Sequence, residues 1–344
     1  MGKNNTTQEK FKSKIGGQAL IEGIMMLGPN TGAMACRLPD GTIDLETWEE
    51  NNGKNAPWYK KTPLVRGCTG FVTSLVKGYK YMMKSAEKQM PEDDEDEKDK
   101  KKKDKAAEAA EPKAESTSEA APAAESTAVK NSSEKKEDSV YDIVMYIGIL
   151  IGIVMAFGLF VFLPKWIIGL IPSIKEHRFI RSLLEGILKI VIFVLYMYLI
   201  SLMKDIKRQF MYHGAEHKTI ACHEAELPLT VENVRKQTRF HKRCGTSFIF
   251  IVLIVSIFVM CFVPFTVTWQ RIVASLVLLP LVVGVSYEFI RLAGNNDNAF
   301  TRMLSAPGLA MQRITTREPD DSMIEIAIAA LTPCIPKDKE EDKW

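Results

Sequence analysis

Four apolar stretches limit what this chain can fold into: residues 140–163, 183–203, 248–265 and 272–292. Such runs are of the length that crosses a bilayer as a helix. In hydrocarbon every backbone N–H and C=O must be satisfied within its own element, so a chain built on these runs is expected to be mainly helical. The second run is the weakest, because Glu185 and Lys189 occupy its first turns and leave 190–203 as its clean part. Those two are i,i+4 partners that either pair or border the interface. The last two runs are separated by a short turn around Pro264 and read as an antiparallel transmembrane hairpin. Glu288 and Arg291, near its end, must face protein or reach the interface. The centres of all four runs lack charges, which ranks transport last among the functions considered.

Composition supports this reading. Hydrophobic residues make up 46% and charged residues 25%, and the two are segregated along the chain. A net charge of +3 gives neither a nucleic-acid footprint nor an acidic body, so no nucleic-acid partner is expected. The six cysteines form no CxxC and no disulfide framework. The opening MGKNNTTQEKFKSK has no apolar core, so no cleavable signal peptide is expected.

Residues 15–90 read as a small α+β unit. Residues 33–38 and 42–45 flank Pro39-Asp40-Gly41, where Pro sets φ and Gly permits positive φ, and the pattern predicts a β-hairpin. From 67 to 89, Phe71, Val72, Leu75, Tyr79, Met82 and Met83 recur at helical spacing, with Lys77, Lys80, Lys84 and Lys88 on other faces. That helix either lies on a membrane surface or packs on the hairpin. Residues 91–138 are a charge run followed by an Ala/Glu/Ser/Pro-rich stretch without an aromatic residue, and are expected to be a disordered linker.

The chemistry concentrates in residues 204–247, between the second and third apolar runs. Four of the five histidines lie there: His213, His217, His223 and His241. On a helix, residues three and four apart share a face, which puts His213, Glu216, His217, Ile220, His223 and Glu224 on one stripe. Two imidazoles one turn apart can hold one divalent ion, while an adjacent carboxylate takes a proton from bound water. The string His213-Gly214-Ala215-Glu216-His217 fits the inverted zincin pattern H-x-x-E-H. His213 and His217 are the expected ligands, with His241, Cys244 or His223 completing the shell and Glu216 as general base. Mixed His, Glu and Cys donors suit zinc, with iron and manganese as alternatives. A hydrogen-bonded polar face is the competing reading, and Gly214 weakens a helix by about 1 kcal/mol relative to Ala.

Residues 293–334 return to soluble character. Ser305 is placed to cap a helix with Pro307 in its first turn, and 322–331 forms a short apolar helix that something must cover. Nine Lys/Arg in 204–243, against Lys165, Lys175, Arg178, Arg181 and Arg271 in the opposite loops, put the histidine loop and both termini in the cytoplasm. If 183–203 fails to span, the sidedness upstream reverses.

Seven strings taken together, GGQALIEGIMMLGPN, RLPDGTI, PLVRG, YHGAEHKTI, RCGTSF, YEFIRLAG and PGLAMQRITTREPDDSMIEIAIAAL, resemble the YqhQ-like family of bacterial membrane proteins. The resemblance covers nearly all of the chain outside the linker and the extreme ends. It implies a multi-pass membrane architecture and a predicted metal-dependent enzyme, and carries over no substrate and no catalytic residues. Lys242 stands where that family's pattern suggests proline. The resulting expectation is an α-helical polytopic membrane protein of about four transmembrane helices with a small α+β cytoplasmic part. Its function is that of a metal-dependent, hydrolase-like enzyme at the cytoplasmic face of the cell membrane, acting on a substrate or protein partner not yet defined. The alternative is a non-catalytic, membrane-anchored binding or assembly module with a structural metal or a polar site.

Overall fold

The structure is a computed structural model that describes residues 11–53, 56–89, 147–174, 176–296 and 298–343. The expected linker at 91–138 lies outside the described residues.

Strands β1 (Gly16–Leu20), β2 (Gly23–Leu27), β3 (Thr31–Arg37) and β4 (Ile43–Glu49) form one antiparallel sheet in chain order. The β3–β4 hairpin is the one expected from Pro39-Asp40-Gly41: Gly41 has φ +87°, and Arg37 pairs with Ile43. The β1–β2 hairpin was not foreseen. Residues 16–27 lack alternation because β2 is buried on both faces, and a strand buried twice reads as a plain apolar run.

One face of the sheet meets α4 (Lys204–Glu224) and α10 (Asp321–Leu331). Ile24, Met26, Ala33 and Ala35 pack there with Tyr212, Ala215 and Ile220 of α4 and with Met323, Ile326, Ala327 and Ala330 of α10. This is the cover that the apolar C-terminal helix required. The other face carries α1 (Val65–Glu87), whose Tyr81 stacks on Trp48 with ring centroids 4.2 Å apart. Lys77 and Lys84 of α1, and Lys88 as its C-cap, pair in turn with Glu50 just past β4 and with Glu46 and Asp44 within it. Val72, Leu75, Val76 and Tyr79 are left exposed on α1, so the helix is both packed on the sheet and apolar on its outer side.

Among the described residues, two helices are long and apolar enough to cross a membrane: α2 (Ile147–Gly169) and α3 (Arg178–Ile200). Against the four expected spans, the described residues thus offer two candidates, or three if α7 (Thr268–Val277) and α8 (Leu279–Asn295) are one bent span. Those two helices meet at 52°, where 272–292 was expected to be continuous. Pro280, in the first turn of α8, supplies the reason: it offers no N–H and its ring clashes with the carbonyl four residues back. α6 (Gly245–Cys261) has only 17 residues, so its axis is about 26 Å long, short of a ~30 Å hydrocarbon core. Glu288 of α8 does face protein, pairing with Arg66 of α1.

The remaining helices are α5 (Val231–Arg235) and α9 (Ala299–Thr315). α9 starts earlier than Ser305 suggested: Asn298 and Thr301 form a reciprocal capping box, and Pro307 lies inside the helix. α10 is capped by Asp320, whose carboxylate accepts from the Met323 amide at 2.9 Å.

Gly214 in mid-α4 has a steric role. A Cβ there would run into the carbonyl oxygen of Arg317, in the loop between α9 and α10. Gly214→Ala is expected to lower stability by about 1–3 kcal/mol, the usual range for overpacking. Thermal unfolding in detergent measures it, and an unchanged midpoint would show that the loop yields freely.

Candidate metal centre

His213 and His217 lie one turn apart on α4, their ring centroids 4.4 Å from each other. Cys244 comes from the far side of the loop as the N-cap of α6. His213 Nε2 is 3.2 Å from Cys244 Sγ, and one ligand atom from each of the three residues falls within 4.8 Å of the others. Ideal zinc bonds to S and N place such atoms about 3.3–3.6 Å apart in a tetrahedron, so small adjustments would close this set on an ion.

Both imidazoles are oriented from behind. His213 Nδ1–H donates to the Thr315 carbonyl at 2.8 Å, and His217 Nδ1–H donates to the Arg239 carbonyl at 2.6 Å. With Nδ1–H committed to a carbonyl, each ring turns its Nε2 toward the cluster, the usual outer support of a metal-bound histidine. The Arg239 carbonyl is itself held in place. The Arg239 guanidinium donates to the Thr316 carbonyl at 2.7 Å and pairs with Glu318 at 3.2 Å, and Lys218 pairs with Glu318 at 2.8 Å.

The electrostatics agree with the geometry. Burial alone would raise the Cys244 thiol, yet His213 and His217 beside it take it well below the ordinary thiol range. The amino end of α6 favours the same thiolate, and the Thr246 side chain lies 3.3 Å away. For His213 burial opposes the charge, but the Cys244 thiolate and its hydrogen bond lift the imidazole above its usual value. Glu216 is 5% exposed, and burial raises its carboxyl despite the two histidines. The Gly17 amide of β1 bonds to this carboxylate, while its Oε2 is buried without a hydrogen-bond partner.

His223 and His241 stand outside the group. His223 Nε2 meets Asp342 Oδ2 at 2.7 Å, with Phe11 edge-on to the ring. Ten residues along a helix are about 15 Å of axis, so a stripe that includes both His213 and His223 is longer than the reach of one ion. The His241 ring is 5.6 Å from that of His217, but its Nε2 is 3.7 Å from Glu224 and accepts from Arg243 at 3.3 Å. His177, the remaining histidine, precedes α3 as its N-cap.

Sequence reasoning missed Gln312 of α9, which fixes the loop that delivers Cys244. Its fully buried amide accepts from the His241 N–H at 2.8 Å and donates to the His241 carbonyl at 2.7 Å. A third contact, at 3.1 Å, goes to Ser247 Oγ in α6. A glutamine beside Met311 in an apolar helix face is the only trace this leaves in the sequence. The Thr315 and Arg239 carbonyls leave none, since every residue has a carbonyl.

Comparison with known proteins places these residues in context. A family model described as protein of unknown function (DUF1385) matches residues 62–337, a range that holds the whole cluster and Glu216. The uncharacterized protein YqhQ of Bacillus subtilis (strain 168) is 32% identical over 323 residues, covering 94% of this chain and 92% of that protein. No solved structure matches.

Gln312→Leu should leave the His241 N–H and C=O without their partner, costing roughly 1–3 kcal/mol per stranded buried group. Hydrogen exchange over residues 240–244 should accelerate, and unchanged protection there would show that Gln312 does not hold the loop.

Proposed function

The chain belongs to the YqhQ-like DUF1385 family, and on that premise we propose that it is a multi-pass membrane protein in which His213, His217 and Cys244 hold a divalent metal ion for hydrolysis-type chemistry. Zinc suits this donor set best. The observation that carries the reading is the buried, unpartnered oxygen of Glu216 beside three converging donors whose tautomers are already set. Three protein ligands leave a fourth position open, as in catalytic rather than structural zinc sites. A bound ion supplies Lewis acidity and a water of lowered pKa. Glu216 is the proton acceptor: the Gly17 amide holds the carboxylate, and its free Oε2 takes the proton.

A second reading follows from burial. His217, Glu216 and Cys244 are 2%, 5% and 7% exposed, which suits a closed, structural ion with Glu216 as its fourth ligand in a non-catalytic assembly module. The two readings separate at Glu216→Gln. The catalytic site keeps its metal and loses turnover, whereas the structural site loses metal.

Four membrane crossings fit this fold better than an odd number. The sheet, α4 and α10 share one core and must lie on one side of the bilayer. Crossings therefore come in pairs: α2 with α3 between the sheet and α4, and the short α6 with bent α7–α8 between α4 and α10. The Lys/Arg excess of 204–243 assigns that side, and both termini with it, to the cytoplasm.

Two measurements test this. Metal analysis of the full chain purified without chelators should find about one equivalent of a divalent ion. His213→Ala, His217→Ala and Cys244→Ala should each drop it to background, and His223→Ala should not. Folded wild-type protein without stoichiometric metal ends the proposal, and metal that survives both α4 substitutions moves it to His223 and His241. For sidedness, a cysteine placed at Asn233 in a background lacking Cys68 and Cys261 should resist an impermeant thiol reagent added to intact cells. Its labelling would reverse the orientation.

A further inference from the structure

A second polar cluster lies at the other end of α3 and α6. Cys244 begins α6, and Met260, sixteen residues on and therefore about 24 Å along the axis, accepts a hydrogen bond from Ser182 at 2.9 Å. Around that contact two almost fully buried guanidiniums share one carboxylate. Arg181 Nε donates to Glu185 Oε1 at 3.0 Å, while Arg271 Nε and Nη2 donate to Glu185 Oε1 and Oε2 at 3.1 and 3.0 Å. The other guanidinium donors are taken up by the Thr266 and Phe265 carbonyls and by the hydroxyls of Thr268 and Ser182.

Lys165 of α2 joins them and is 2% exposed. Gly169, one turn further along the same face, packs so closely that a Cβ there would be 3.0 Å from Thr268 Oγ1 and 3.7 Å from Arg181 Nη2. The charges acting on Lys165 are Lys189, Arg181, Arg271 and the single acid Glu185. Two buried arginines, the buried Lys165 and the half-buried Lys189 thus have one acid, Glu185, among them. The sequence has no acid between residues 245 and 287, and Glu176 is the only other between 147 and 200, on an exposed turn. Such a surplus of buried charge is unfavourable unless an anion joins it. Basic pockets between membrane helices meet that need with lipid headgroups.

We propose that Lys165 and Lys189, backed by the Arg181–Glu185–Arg271 network, bind a phosphate group at the membrane end opposite the metal centre: the headgroup phosphate of an anionic phospholipid, or free phosphate. The two lysines are the ligand's donors, because every guanidinium nitrogen already has a partner. This rests on the membrane reading above and is independent of the metal.

The test uses the full chain in nanodiscs of phosphatidylcholine, with and without phosphatidylglycerol, and with inorganic phosphate as a separate arm. Wild type should melt higher with phosphatidylglycerol and retain it in native mass spectrometry. Lys165→Gln should be at least as stable as wild type in phosphatidylcholine, gain nothing from the anionic lipid and retain about fivefold less of it, one lysine's share of the attraction. Lys189→Gln serves as the second variant should Lys165→Gln fail to fold. Stabilisation by inorganic phosphate, with nothing added by the lipid, assigns the site to the free ion. A wild type indifferent to both probes, or a lysine variant that responds like wild type, overturns the proposal. Release of the chain by alkaline carbonate would instead remove the membrane reading itself, and His213→Ala should leave the lipid preference intact.

Discussion

A helix that buries two imidazoles, a carboxylate and a lysine is stable only if its neighbours satisfy them, and α4 is in that position. His217, Glu216 and Lys218 are consecutive and nearly inaccessible. Their partners, with that of His213 one turn back, come from five separate places: the loop before α6, the end of α9, the loop before α10, α5 and strand β1. Unpaired buried polar groups are costly, so α4 cannot adopt this burial until those segments have closed around it. The cluster is therefore a property of the assembled core, and the helix alone would expose the same side chains to water. Glu216 Oε2 is the one polar atom of this stripe left without a partner, which is why the functional argument turns on it.

The sheet serves as the floor of that arrangement. Its two central strands are buried on both faces, which lets α4 and α10 pack on one side and α1 on the other. Through α1 the sheet is tied to α8, with Gly67 of α1 closely set against Gly284 and Tyr287 and Arg66 paired to Glu288. The sheet core and the apolar helices thus meet in a packed contact, and the His213, His217 and Cys244 group sits at that junction because Cys244 caps the apolar helix α6. The same helix carries the Ser182 contact near its other end, so one short element links two polar clusters, one a cysteine among imidazoles and the other two arginines around a single carboxylate.

Much of this was legible in the chain. The 3.6-residue period fixed α1 and the apolar run at 322–331 fixed α10 to within a few residues, the Pro-Asp-Gly turn fixed the β3–β4 hairpin, and helical spacing put His213, Glu216 and His217 on one stripe without marking where α4 begins. These are local rules, and they act within a turn or two of backbone. They failed where a second influence intervened. The β1–β2 hairpin is masked by burial on both faces, α9 starts at a capping box rather than at Ser305, and Pro280 breaks a run that hydropathy alone treats as continuous.

The sequence by itself determined that a helix would present two histidines and a glutamate on one side, with a cysteine following some thirty residues later at the start of an apolar run. Tertiary structure alone decided which of four histidines join that cysteine, because spacing along a chain says nothing about distance across it. It also decided that His223 would turn to Asp342 and His241 to Glu224, and that Glu185 would serve two arginines rather than pair simply with Lys189. The two carbonyls that orient the imidazoles are the clearest case. A backbone carbonyl is the same atom in every residue, so only the packing of Thr315 and Arg239 against α4 could make these two part of the site.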